Sequence, residues 1–137
     1  MPSSLRAAVL LLAGLMLSAS AALHAFVAWP HLRGDLMEDH ASRNLVAALS
    51  AGWHFGSLAM LAFGLIVLSA GIAAWRGGPV PSGPLWIVAA ACIAFGAGAF
   101  FLIGHNVHFA GFAGIGVLVA IGAGSGSKGS GELSHPG

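Results

Sequence analysis

The chain contains no tyrosine, one cysteine and only nine charged side chains in 137 residues. Charged residues make up 7% of it, whereas a water-soluble domain carries about a quarter. That shortage excludes an ordinary soluble globule. Five Lys and Arg stand against four Asp and Glu, so there is no basic surface for nucleic acid. The lone Cys92 excludes an internal disulfide and any CxxC metal or redox motif. Set in VAAACIAFGAG, it reads as a small hydrophobe. No carboxylate interrupts an apolar run, so nothing marks a carboxylate path for ions or protons. HExxH, a GxxxxGK[ST] loop and a serine in a nucleophile elbow are all missing, which ranks a membrane enzyme last.

What the chain has in quantity is apolar sequence. Hydrophobic residues make up 58% and the mean hydropathy is +0.91. Four segments approach or exceed the roughly 20 residues that a spanning helix needs. They run from about Leu5 to Trp29, where Pro30 follows, then Asn44 to Trp75, Leu85 to Ile103, and Val107 to Ala123. GGPVPSGP separates the second from the third. Between the third and fourth stand only Gly104, His105 and Asn106. A glycine able to close a helix C-terminus and an asparagine able to cap the next N-terminus predict a tight hairpin. One continuous helix of about 39 residues would overrun the bilayer almost twofold.

The expected architecture is all-α: a polytopic membrane protein with four transmembrane helices in residues 1–124, and a disordered Gly/Ser-rich tail over 125–137. Ala19-Ser20-Ala21 also resembles a signal-peptide cleavage site. Apolarity that runs unbroken to Trp29 favours a retained first span. Arg6, Arg76 and Lys128 then share one side, against Arg33 and Arg43 on the other. Positive charge on the inner side expects cytoplasmic termini in a bacterial inner membrane. Trp29, Trp75 and Trp86 lie at segment ends, as interfacial anchors do.

Seven histidines remain to be explained, several of them inside apolar runs where an imidazole is costly. His24 lies about 7–8 Å inside the end of span one at 1.5 Å per residue. His54 falls near the matching end of span two. His105 and His108 flank the turn into span four. The topology expects all four at one rim, with His31, His40, Asp35, Glu38 and Asp39 in the adjoining loop. Imidazoles and carboxylates are ligands for Zn, Cu or Fe, so His24, His54, His105 and His108 are candidate metal ligands. Two imidazoles on facing helices would instead hold a b-type haem. A third reading needs no cofactor: the rings are hydrogen-bond partners between helices, His24 to a serine or carbonyl, His54 to Ser50 or Ser57. The protein would then be an accessory or assembly subunit, partnered by the lipid bilayer and another membrane protein.

Leu23-His24, Trp53-His54 with Ser57-Leu58, and Gly104-His105 together resemble the pattern of a group of small, uncharacterised four-helix membrane proteins found in proteobacteria. The resemblance covers roughly residues 5–123. It implies a retained first span and a role for His24, His54 and His105, and it implies no reaction.

Overall fold

The computed structural model describes residues 1–125. The described residues form helices joined by short turns: α1 (Ser3–Leu23), a single π turn (His24–Ala28), α2 (Trp29–Glu38), α3 (Arg43–Trp75), α4 (Ser82–Leu102) and α5 (Val107–Gly124). α1, the π turn and α2 run on as one rod of 36 residues. That rod, α3, α4 and α5 are four helices each long and apolar enough to cross a membrane, as a multi-pass membrane protein requires. The Gly/Ser tail lies, from residue 126 on, outside the described residues.

One boundary differs from the sequence expectation. Span one does not end at Pro30, and residues 30–38 form helix rather than loop. Proline has no N–H to donate, and its ring would run into the carbonyl four residues back. The π turn just before it resolves this conflict. The wider turn, in which the Trp29 N–H reaches the His24 carbonyl, shifts the backbone one residue out of step. The helix therefore passes the proline. It reverses only at His40, in the left-handed region at φ +57°, and Ser42 caps α3 by accepting from the Leu45 N–H at 3.3 Å.

The second hairpin closes as expected. Gly104 (φ +70°) and His105 (φ +62°) are both left-handed, and Asn106 Oδ1 accepts the His108 N–H at 2.9 Å. His105 is thus a turn residue, taking a conformation that histidine adopts more readily than most side chains.

The helices pack as two tight pairs, α1 with α3 and α4 with α5, joined mainly along α1 and α5. Glycine sets both close approaches. A Cβ on Gly64 would meet the Ser18 nitrogen at 2.9 Å, and one on Gly96 would meet the Phe109 carbonyl at 2.8 Å. Gly52 and Gly56, the pair with strict four-residue spacing, have nothing within 4 Å and do not serve packing. The shared core contains Leu10, Leu17, Val67, Leu85, Val88, Ile115 and Val119. It fills the part of the bundle away from the histidines. There Arg6 Nε also donates to the Gly122 carbonyl at 2.8 Å, satisfying an orphan acceptor at the end of α5.

Gly96→Ala should therefore force α4 and α5 apart and cost about 1–3 kcal/mol. Gly98→Ala, where nothing lies within 4 Å, should leave stability unchanged. Thermal unfolding in one detergent, followed by helical circular dichroism, compares the two directly.

Candidate functional site

His24 opens the π turn and faces α3. Its ring stacks on the indole of Trp53 with centroids 4.0 Å apart and planes 1° from parallel. Trp53 Nε1 donates to the His24 carbonyl at 2.7 Å, the same oxygen that receives the Trp29 N–H. His24 Nδ1 lies 2.9 Å from Ser57 Oγ. The Ser57 hydroxyl donates its one proton to the Trp53 carbonyl at 3.0 Å. The hydrogen-bond network therefore assigns the remaining proton to the imidazole. His24 is held as the Nδ1–H tautomer, and its Nε2 lone pair is free.

This arrangement matches the expected cross-helix bond from His24 to a serine, and it is built from residues that are polar for a reason. Ser57 is buried, and a buried hydroxyl is stable only when bonded. Trp53 and Ser57 stand four residues apart on the side of α3 that meets α1.

His54 is oriented by the other serine. Its Nδ1 donates to the Ser50 carbonyl at 2.7 Å, and its ring meets Trp29 edge-on at 5.8 Å. It does not share the His24 face. His54, Leu58, Leu61 and Leu65 fall on one helical stripe, and all four are exposed. That stripe faces outward.

His108 belongs to the other hairpin, in the first turn of α5. In α5 it precedes Ile115 and Gly122 at seven-residue steps. In α1, Leu10, Leu17 and His24 repeat at the same interval. Leu10 and Gly122 oppose one another directly, and Leu10, Leu17 and Ile115 share the core. Two antiparallel stripes thus run Leu10–Leu17–His24 and Gly122–Ile115–His108, which brings His24 and His108 to one level. His108 is flanked by Phe109 and Phe112, both edge-on at about 6 Å.

At this level the two helix pairs part. No extended packing joins the π turn to α5, and Val107 and His108 are exposed. Phe95 on α4 stands edge-on to Phe112, and Gly56 lies on the stripe of α3 that continues into Phe63 and Val67. The space beside Gly56 and Gly111 is open.

The four histidines expected at one rim thus have separate partners, His24 at Ser57 and Trp53, His54 at the Ser50 carbonyl and His108 among the rings of α5. His105 packs edge-on against Phe100 and Phe101 in its turn, and its N–H is taken by the Phe100 carbonyl at 2.8 Å. His31 lies exposed on α2 and His40 in the turn after it. Among the described residues, no three of His, Cys, Asp and Glu come together in a group able to hold a metal ion. The contribution of Trp53 was not foreseen. The repeat Leu10–Leu17–His24 was the available signal for the common level of His24 and His108, since it puts the imidazole in line with two core leucines.

No family model, curated protein or solved structure matches the chain.

Ser57→Ala should leave the His24 Nδ1–H unpartnered and cost about 1–3 kcal/mol. Ser50→Ala should be close to neutral, because His54 bonds the backbone carbonyl there. Equal melting temperatures for the two variants would contradict this assignment.

Proposed function

We propose that the protein binds a b-type haem at the histidine end of the bundle, where His24 and His108 would hold its iron. The observation that carries this reading is the common level of the two imidazoles on the two hairpins, one of them with Nδ1 tied and Nε2 free. Ligating histidines are held in that way, the outer ring nitrogen donating to a fixed acceptor so that the ring cannot turn. A four-coordinate Zn site takes three or four protein ligands, whereas haem iron takes two at most, because the porphyrin supplies the rest. The open flanks of Gly56 and Gly111 and the rings of Phe95 and Phe112 support an apolar site there. When bound, the group would supply one-electron redox chemistry. The chain's own part is to orient His24 through Ser57 and Trp53.

Under the same proposal the protein lies in a bacterial inner membrane. Arg6, Arg76 and Lys128 are then cytoplasmic, and the histidine end faces the periplasm. A second reading is favoured by the completeness of the His24–Ser57–Trp53 network. In it the imidazole is a cofactor-free lock between α1 and α3, in an accessory subunit of a membrane complex.

Spectra between 350 and 600 nm separate the two. Detergent-purified protein reconstituted with haemin should show the sharp Soret and resolved α and β bands of bis-histidine iron on reduction. His24→Ala and His108→Ala should each abolish them, while His54→Ala and His105→Ala should retain them. A colourless wild type after reconstitution would leave the cofactor-free reading in place, and loss of the bands only in His54→Ala would overturn the assignment of His24 and His108 as the ligands.

A further inference from the structure

The rod α1–α2 and α3 are longer than their neighbours. At 36 and 33 residues they measure about 54 and 50 Å, against about 27–32 Å for α4 and α5. The shorter pair matches the hydrocarbon thickness of about 30 Å. Since His24 stands level with the start of α5, the surplus of the longer pair projects at the histidine end. Trp29 then lies near the membrane surface, and Arg33 lies one turn, about 6 Å, beyond it. That is the depth of lipid headgroups, which add roughly 5–8 Å to each side of the core.

Between the projecting arms is a cleft of about 470 Å³. α2 lines it with Trp29, Arg33 and Met37 at four-residue steps, and α3 with Arg43, Val46 and Ser50. Two guanidinium groups ten residues apart in sequence thus face one space. Asp35, Glu38 and Asp39 line no part of it, although they lie in the same stretch of chain. Arg43 is also the first residue of α3, so the positive end of that helix adds to the field. Trp29 is buried. One turn of α3 beyond Ser50 stands His54, and from there the exposed stripe Leu58, Leu61, Leu65 descends along the bundle.

We propose that this cleft binds an anionic phospholipid. The headgroup phosphate sits between Arg33 and Arg43, and one acyl chain follows Leu58, Leu61 and Leu65. Guanidinium groups bind phosphate through paired, charge-assisted hydrogen bonds, and they are strongest where water is thin. The charge, the depth and the apolar path below all belong to one lipid molecule, whereas a free anion would use only the first. The site lies on the face of α3 turned away from the second hairpin, so it is separate from His24 and His108.

The test is native mass spectrometry of the full chain in detergent, with phosphatidylglycerol or phosphatidylcholine at equal concentration. The wild type should carry one phosphatidylglycerol at least fivefold more often than one phosphatidylcholine. Arg33→Gln combined with Arg43→Gln should remove that preference, and Arg76→Gln, at the other end of the bundle, should keep it. Arg33→Lys retains the charge without the paired donors and should fall between. Helical circular dichroism checks that each variant is folded. Equal binding of the two lipids by the wild type would overturn the proposal whatever the variants do. So would displacement of phosphatidylglycerol by millimolar inorganic phosphate, which would make the cleft a site for free anions.

Discussion

The close approach of α1 to α3 is the contact on which the histidine end depends. Gly14 and Gly64 let two backbones meet where a side chain would hold them apart. In lipid, the hydrophobic effect does not drive helices together, so van der Waals contact at small residues and hydrogen bonds decide how they pack. Once Gly64 lies against Ser18, and Gly71 against Leu11, the register of the antiparallel pair is determined. That register brings Trp53 and Ser57 to His24. A slip of one turn would leave the His24 imidazole and the Trp53 indole N–H without partners, in surroundings where each costs several kcal/mol.

The two ends of the bundle differ in kind. Away from the histidines, leucine, valine and alanine interlock around Leu10, Leu17 and Val119, and Arg6 closes the end against the Gly122 carbonyl. At the histidine end the hairpins separate, and aromatic and imidazole rings replace aliphatic packing. The π turn lies at this transition. It lets the helix pass Pro30 and also turns the His24 carbonyl into an acceptor for both the Trp29 N–H and the Trp53 indole. One local irregularity therefore serves the backbone and the site together.

Much of this was legible in the chain itself. Four apolar runs and the Gly104–Asn106 turn follow from composition and from local chemistry, which depends only on neighbouring residues. The extension of helix past Pro30 was not legible, because proline ends a helix unless a wider turn precedes it, and no residue type marks a π turn. The grouping of the histidines was half legible. Their common level follows from counting residues along each span, but level says nothing of azimuth. His54 turns outward with Leu58 and Leu61, and His105 is consumed by its turn. His24 turns to α3, where Trp53 and Ser57 hold it.

The sequence by itself determined that the bilayer is the solvent, how many helices cross it and which residues reach the same rim. These depend on hydrophobicity and on the fixed rise of a helix, both of which are local and additive. Only the tertiary structure decided which partner each imidazole meets. Facing depends on the rotation of each helix about its axis, and rotation is set by backbone contacts such as Gly64 on Ser18 and Gly96 on Phe109, made between residues far apart in the chain.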